Sequence, residues 1–237
     1  MAARPDLMNA NLPVIAVTGM AFEARIARGK GVEAVYAARA DLLERALNEA
    51  VARGCAGIVS FGTAGGLAPD LAPGTLIVAS SVHSPLGVVE TDLRWAGRIV
   101  TALDGTPLAS KLRRGPIAGV AAPLVGAADK AALHASTGAL AVDMESHLAG
   151  AIAEANGLPF VVCRAIVDPA WRTLPSAATA GLRDDGTTAI VPILRELARQ
   201  PSQLGGLLQV AADARAARAT LVAARQVLER SGALRSL

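Results

Sequence analysis

The stretch LPFVVCRAIVD, residues 158–168, is an almost unbroken apolar run that contains one arginine and ends in an aspartate. Its valine, isoleucine and phenylalanine residues favour a β-strand, and a strand that is apolar on both faces belongs in a sheet covered on both sides. The run therefore predicts a central strand of an α/β domain.

Shorter apolar runs alternate with helical segments along the rest of the chain. The predicted strands are residues 13–18, 56–61, 74–82, 115–122 and 138–143, and the predicted helices are residues 40–54, 90–103, 127–136, 145–157, 187–199 and 203–230. The polar stretch 168–186 predicts a loop-like insert. Because strands alternate with helices, residues 1–237 are expected to form a single α/β domain, with a mostly parallel central sheet flanked by helices and a helical tail at residues 203–237.

Composition limits the classes of protein that fit. Of the 237 residues 52% are hydrophobic and 3% aromatic, and the net charge is +3. This mild charge, without basic residues interleaved with aromatics, argues against a nucleic-acid partner. Cys55 and Cys163 are too few for a disulfide framework or a cysteine-rich metal site, which favours a reducing cytoplasm. The N-terminus lacks the pattern of a secretory signal, and no stretch reaches the roughly 18 apolar residues of a spanning helix.

Carboxylates follow three predicted strands at the point where each strand ends. Glu23 follows the first strand, Asp143 and Glu145 follow the fifth, and Asp168 ends the last. A glycine-rich turn, GTAGGLAP at residues 62–69, follows the second strand. Ligands of covered α/β sheets bind at the carboxyl ends of the strands, so these residues predict a small-molecule site.

Each of these features also has a purely structural interpretation. Asp143 or Glu145 can cap the following helix, and Asp168 before a proline can form a turn. Glu23 can be a solvated acid in the first turn of a helix. The glycine-rich turn matches neither the GxGxxG nor the Walker pattern, so dinucleotide or triphosphate binding is not expected.

Two long segments resemble a known superfamily. SFGTAGGLAPDLAPGTLIVAS, residues 60–80, is similar to the glycine-rich segment of methylthioadenosine/S-adenosylhomocysteine nucleosidases, and LAVDMESHLAGAIAEANGLPFVVCRAIVDPA, residues 140–170, is similar to their Met-Glu ribose segment and the following strand. Over residues 13–170 the chain thus resembles the nucleoside phosphorylase and nucleosidase superfamily, which implies a mixed, mostly parallel sheet and cleavage of an N-glycosidic bond. Residues 174–221 resemble the tail of the hopanoid-associated phosphorylases, which release adenine from adenosylhopane.

The resemblance implies roles for the acids at the strand ends. Glu145 matches the residue that accepts hydrogen bonds from the ribose 2′- and 3′-hydroxyls, and Met144 would pack on the sugar. Asp168 matches the acid that delivers a proton to purine N7, and Glu23 matches the acid that orients an attacking water. Glycoside hydrolysis divides the work between two acids in the same way, one at the oxocarbenium-like sugar and one at the leaving group. No metal or redox cofactor is implied.

The surroundings of the base follow the family only in part. The resemblance places Thr63, Ala64 and Gly65 beside the base and the ribose. Many relatives stack the purine on a phenylalanine that the segment AAPLVG lacks, which leaves Phe22 or Trp171 as stacking candidates.

Water and phosphate both remain open as the nucleophile. Thr18, Gly19, Arg25 and Thr63 are candidates for an anion site, but they form no diagnostic phosphate motif, and Glu23 beside the sugar favours water. Inorganic phosphate is therefore an open co-substrate. The alternatives to an adenosylhopane-cleaving enzyme are a methylthioadenosine/S-adenosylhomocysteine nucleosidase, a phosphate-dependent purine nucleoside phosphorylase, and a non-catalytic nucleoside or lipid binder.

A lipid-linked adenosine derivative would require an apolar groove or contact with a membrane surface. The tail 203–237 carries five arginines among leucine, valine and alanine, and such a helix can lie on an anionic membrane. An ordinary surface helix packed on the domain explains the same pattern. We expect a cytoplasmic homodimer that binds the inner membrane face peripherally at most.

Overall fold

An eight-stranded sheet is the centre of the computed structural model, which describes residues 12–181, 183–187 and 189–235. The strands are β1 (Val14–Thr18), β2 (Val32–Tyr36), β3 (Gly57–Gly66), β4 (Leu76–Ser84), β5 (Gly87–Glu90), β6 (Leu112–Gly119), β7 (Ala141–Asp143) and β8 (Phe160–Asp168). Five of the eight strand pairings are parallel and three antiparallel, so the mixed, mostly parallel sheet is confirmed. Residues 1–11, to which the expectation of no secretory signal applies, and residues 236–237 of the tail lie outside the described residues.

Five of the strands close into a ring. β3 pairs with β8, β8 with β4, β4 with β6, β6 with β7, and β7 returns to β3. β1 and β2 extend the sheet from β3, and β5 forms a hairpin with β4. Because β8 is paired on both sides and buried from Phe160 to Ile166, the central strand predicted from residues 158–168 is confirmed.

Helices cover both faces of the sheet. They are α1 (Ala21–Ala27), α2 (Ala40–Ala52), α3 (Leu93–Asp104), α4 (Ala127–Thr137), α5 (Ser146–Ala155), α6 (Ser176–Thr179), α7 (Ile190–Arg199) and α8 (Leu204–Ser231), with 3-10 helices at Ala109–Lys111 and Pro201–Gln203. α3 and α8 share one apolar core with Val59 and Val161, while α2 and α5 share another with the neighbouring Ile58 and Val162. Since adjacent strand residues point to opposite faces, the two cores lie on opposite sides of the sheet.

The glycine-rich segment departs most from its predicted structure. Residues 62–66, predicted as a turn, continue β3 as far as Gly66. A Cβ on Gly65 would lie 3.3 Å from Val142 of β7 and 3.4 Å from both carboxylate oxygens of Asp168. Glycine therefore allows neighbouring backbone and side chains to approach closely within this strand. The sequence alone predicts a turn here, because glycine has a low β-propensity. α1, β2 and β5 were not predicted, and α6 lies inside the stretch predicted as a loop.

The C-terminal helix is part of the domain core along its second half. Its buried residues Ala217, Leu221, Ala224 and Leu228 belong to the same core as α3. Arg225, one of the five arginines of the tail, is buried and its Nε donates a hydrogen bond to Ala27 O at 2.8 Å. The first half of α8 leaves Leu204 and Leu208 exposed. Among the residues that the structure describes, no helix has the length and apolarity to cross a membrane.

Candidate active site

One cavity of about 450 Å³ brings the predicted site residues together. Its lining includes all eight of them: Phe22, Glu23, Thr63, Ala64, Gly65, Met144, Glu145 and Asp168. They come from α1, from the glycine segment of β3, from the turn between β7 and α5, and from the end of β8. Trp171, the second stacking candidate, is 57% exposed and is not among the lining residues.

Glu145 is held by an arginine that the sequence analysis did not single out. Arg164, from the middle of β8, is fully buried, and its guanidinium lies 3.1 Å from Glu145 Oε2 and 2.8 Å from Asp143 Oδ2. It also donates to Ser60 Oγ at 2.6 Å and to Thr63 O at 3.2 Å. The guanidinium therefore ties β8 to β3 and fixes the direction of both carboxylates.

Asp143 and Glu145 differ in what they do for the following helix. Asp143 accepts hydrogen bonds from the backbone N–H of Ser146 at 2.9 Å and from the Ser146 hydroxyl group. Glu145 stands at the N-cap position of α5, but its side chain makes no capping hydrogen bond. The capping interpretation thus holds for Asp143, and the Glu145 carboxylate is left facing the cavity.

Glu23 is one of the most completely bonded side chains of the site. Its Oε1 accepts from the Thr63 N–H at 2.8 Å and the Thr63 hydroxyl at 2.7 Å, and its Oε2 accepts from the N–H groups of Gly19 at 3.2 Å and Met20 at 3.1 Å. With 1% of its surface exposed, it is not the solvated acid that the structural interpretation suggested. A carboxylate has about four lone-pair sites, so any further donor, such as a water molecule, would share an oxygen with one of these four groups.

Asp168 is paired with a lysine that the sequence analysis also missed. Lys130 of α4 is fully buried, and its Nζ forms an ion pair with Asp168 Oδ2. The same Nζ donates to Pro169 O at 3.2 Å and to Arg172 O at 3.0 Å. Asp168 thus ends β8 with one oxygen held from behind while its side chain lines the cavity.

Burial sets the ionisation of the two acids that face the cavity. Burial raises the pKa of Glu145 to about 8, because Arg164 offsets the loss of solvation only in part and the negative charges of Asp143 and Glu23 add to the rise. Burial also raises the pKa of Asp168, while the ammonium group of Lys130 opposes that rise. Both carboxyl groups therefore bind a proton more readily than they would in water.

Comparison with known proteins shows the family to which the chain belongs. The sequence model of the phosphorylase superfamily matches residues 7–190. The chain belongs to the phosphorylase superfamily. It is therefore an enzyme of the class that cleaves N-glycosidic bonds in nucleosides, as expected from the sequence. None of the curated proteins matches the sequence.

Solved structures of the superfamily share the fold at low sequence identity. The Helicobacter pylori methylthioadenosine nucleosidase with 5′-methylthioadenosine in its active site has a TM-score of 0.64 at 15% identity, covering 93% of this chain and 98% of that one. The futalosine hydrolase of the same organism has a TM-score of 0.66 at 16% identity, covering 94% and 97%. The Campylobacter jejuni methylthioadenosine/S-adenosylhomocysteine nucleosidase has a TM-score of 0.62 at 14% identity, covering 92% and 99%.

The walls between the carboxylates are apolar in this superfamily member. They include Met20, Ala38, Val120, Pro123, Leu124, Val142, Val167, Leu174, Ala178, Val210 and Ala214, besides Phe22, which is the aromatic residue of the lining. Among the described residues, no lysine or arginine lines the cavity. Of the predicted anion-site candidates, Gly19 and Thr63 line it, whereas Arg25 is exposed on α1 and Thr18 is buried behind it.

The two missed residues left unequal signals in the sequence. Arg164 is the one charged residue inside the apolar run of β8, and a charge in a buried strand requires a partner. Lys130 stands between small residues on a helix, where lysine is usually solvated, and its partner is 38 residues away. Among the described residues, no group of three or more histidine, cysteine or acidic side chains is arranged to hold a metal ion.

Proposed function

We propose that this enzyme cleaves the N-glycosidic bond of a 5′-substituted adenosine, adenosylhopane, and releases adenine. The observation that carries the proposal is that Glu145 and Asp168 line one cavity whose remaining walls are mostly apolar. One carboxylate suits a sugar that becomes cationic, the other suits a leaving purine, and the apolar walls suit a hydrocarbon 5′-substituent.

The proposed roles follow from the chemistry of the bond. Breaking C1′–N9 leaves oxocarbenium character on the ribose and an electron pair on the purine. Glu145 accepts hydrogen bonds from the ribose hydroxyls, with Met144 packed against it. Its pKa is about 8 in the free protein, and the positive charge that develops on the sugar favours its ionised form, which in turn stabilises that charge. Asp168 donates a proton to N7 as the bond breaks, and its raised pKa helps it to hold that proton at neutral pH.

Water is the proposed nucleophile. Phosphate would enter a cavity whose described lining contains no lysine or arginine but does contain the carboxylates of Glu23 and Asp143, and like charges repel strongly in a site of low dielectric. Glu23 orients the water by accepting a hydrogen bond from it. The accepting oxygen of Glu23 also accepts a hydrogen bond from the backbone N–H of Thr63 or Gly19. No cofactor takes part, and the walls beside the base are Phe22 and the strand residues Ala64 and Gly65.

A lipid-linked substrate also requires access from a membrane, and we propose that the enzyme binds the inner membrane face peripherally. The residues that support this proposal are on α7 and not on the part of the tail that packs on the domain. Ile190, Val191 and Leu194 are 58–68% exposed on one side of α7. Arg195 and Arg199 follow them in the sequence. Apolar residues flanked by arginines are typical of helices that lie in an anionic lipid surface.

This membrane contact is tested by co-sedimentation with vesicles of phosphatidylcholine and phosphatidylglycerol. Replacement of Ile190, Val191 and Leu194 by serine is expected to abolish binding, whereas replacement of the exposed Leu86 should not affect it. Binding that persists in the triple variant would contradict the proposed contact.

The proposed assembly is a cytoplasmic homodimer. Its support is a second group of exposed apolar residues, Leu86, Val88 and Leu93, at the edge strand β5 and the start of α3. An exposed apolar edge strand favours pairing with another chain. Light scattering should give twice the chain mass of 24.0 kDa, and V88K should reduce it to the monomer value.

Three alternatives remain for the test to exclude. A methylthioadenosine/S-adenosylhomocysteine nucleosidase would cleave small thioether nucleosides faster than an adenosine with a large hydrocarbon substituent. A purine nucleoside phosphorylase would require phosphate. A non-catalytic binder of nucleosides or lipids would release no adenine, and D168N would not change its behaviour.

The deciding experiment measures adenine release from adenosylhopane and from methylthioadenosine, each with and without phosphate. We expect release from adenosylhopane without phosphate, and a higher kcat/KM for it than for methylthioadenosine. Release that depends on phosphate would establish a phosphorylase, and preference for methylthioadenosine would establish the thioether nucleosidase. Failure to release adenine from either substrate would overturn the proposed function.

A further inference from the structure

Lys130 is a fully buried lysine whose three donors all have partners. Its Nζ pairs with Asp168 Oδ2 and donates to two backbone oxygens, Pro169 O at 3.2 Å and Arg172 O at 3.0 Å. An ammonium group has three N–H donors and no acceptor, so these three oxygens satisfy it completely. Buried lysine is rare and costly unless it is paired, and the pairing here is with the acid that ends β8.

The pairing leaves the two oxygens of Asp168 in different positions. Oδ2 is engaged by Lys130, and the carboxylate as a whole packs against the backbone of Gly65, where a Cβ would lie 3.4 Å from each oxygen. Asp168 nevertheless lines the cavity. Oδ1 is therefore the oxygen that a ligand in the cavity would meet.

We propose that Lys130 is a positioning residue for the leaving purine: it fixes Oδ1 of Asp168 towards the base and stabilises the carboxylate that forms when Asp168 gives up its proton. This inference rests on the function proposed above. In the step concerned, the C1′–N9 bond breaks and its electrons pass to the purine. The proton on Asp168 Oδ1 passes to N7. Asp168 becomes a carboxylate beside the ammonium group of Lys130. Water adds to C1′ and gives up one proton to Glu23, which releases it to solvent, and Asp168 takes a proton from solvent before the next turnover.

The charges around Asp168 explain why such a partner is useful. Burial raises the pKa of Asp168, and Asp213 on α8 raises it further, whereas Lys130 lowers it. The guanidinium Nε of Arg172 lies 2.8 Å from Asp213 Oδ2, so Arg172 neutralises part of the charge of Asp213. Asp143 and Glu145 line the same cavity. Without Lys130 the pKa of Asp168 would rise further above its usual range, and a general acid works best when its pKa lies near the working pH.

The test compares two substrates with different leaving groups. Adenine needs protonation as it leaves, whereas the 4-nitrophenolate of 4-nitrophenyl β-D-ribofuranoside does not. K130M removes the charge and keeps the length of the side chain, and K30M changes an exposed lysine as a matched control. We expect K130M to lower kcat for adenine release about 100-fold, and to lower the ratio of adenine to nitrophenolate release at least tenfold. K30M should change neither rate.

The pH profile supplies a readout that a purely structural role would not move. Activity that needs protonated Asp168 is lost as the pH rises through its pKa. Because Lys130 lowers that pKa, the basic limb of kcat for adenine release should move to higher pH in K130M. In a D168N background, K130M should cause little further loss, since Lys130 acts through Asp168. K130Q, which retains a donor for the backbone oxygens, gives the same comparison if K130M folds poorly.

The outcomes separate this inference from the function on which it rests. Equal losses on both substrates, an unchanged basic limb, or additive losses in the double variant would overturn the role of Lys130 while the wild-type enzyme still released adenine. A wild-type protein that released neither adenine nor nitrophenolate would overturn the proposed function, and with it this role.

Discussion

Each end of the cavity has a buried cationic side chain next to carboxyl groups, but the number of carboxyl groups per cation differs between the two ends. At the Glu145 end, Arg164 faces Glu145 and Asp143, and Glu23 lies close enough to raise the Glu145 pKa, so that three carboxyl groups share one guanidinium. At the Asp168 end, Lys130 faces one carboxylate. The first end therefore keeps an excess of negative charge, which suits a sugar that becomes cationic. The second end is balanced, which suits the transfer of one proton.

The largest expected effect comes from removing the cation at the crowded end. R164M leaves the buried Asp143 without its counter-ion and removes the cation that holds Glu145 in place, and breaking a buried pair in this way costs about 3–5 kcal/mol of unfolding free energy. Denaturant unfolding at pH 7.5 measures the loss.

Arg225 provides the matched control for R164M. It is also buried, but its carboxylate partner Glu229 is half exposed, so R225M should cost less than half as much. Equal losses of unfolding free energy for the two variants would contradict the view that Arg164 offsets more buried negative charge than Arg225 does.

The next effect tests how precisely Glu145 is placed. A Cβ on Gly19 would overlap Glu145 Oε1, so G19A should push the carboxylate out of position while Arg164 retains Asp143. A displacement of about 1 Å can lower activity about 100-fold, and kcat/KM for adenine release measures it. In G97A, where no atom lies within 4 Å of the new Cβ, activity should remain at the wild-type value. Full activity in G19A would show that Glu145 needs no such placement.

The last effect is a gain in stability with a defined pH dependence. The pKa of Glu145 is higher in the folded protein than in the unfolded chain, so its contribution to stability is present at low pH and is lost as the pH rises towards about 8. E145Q carries no charge to bury. Relative to wild type, it should therefore gain about 1.4 kcal/mol in unfolding free energy for each pH unit between about pH 5 and pH 8, while it loses activity.

Glu154, which is exposed at the end of α5, is the control for this gain. E154Q should show no change between pH 5 and pH 9 relative to wild type. A stability difference for E145Q that did not vary with pH would mean that the Glu145 carboxyl group is not destabilised by burial, and the contrast between the two ends of the cavity would then be weaker than described.

The sequence predicts the parts of this site that are local in the chain. Apolar strands and the acids at their ends can be recognised from a few neighbouring residues. The central strand β8 was predicted correctly, and Glu23, Glu145 and Asp168 line one cavity. The resemblance to nucleosidases supplied the roles of those acids, which remain predictions.

The cations and the short elements were missed because their causes are not local. The partner of Lys130 is 38 residues away, and Ser60, which binds Arg164, is 104 residues away. β5 is a four-residue edge strand that exists because it pairs with β4, and its own sequence GVVE is too short for a periodic pattern. The extension of β3 through Gly65 likewise depends on what packs against it.

The closed ring of strands has a consequence for the order of events during synthesis. β3 and β4 can be completed only when β8 is available, because β8 lies between them and begins about 100 residues after β3. Until residue 168 has left the ribosome, both strands present unpaired edges, and pairing across such a separation is slow and exposes the chain to aggregation. Truncated chains that stop before β8 should therefore be the species that chaperones retain.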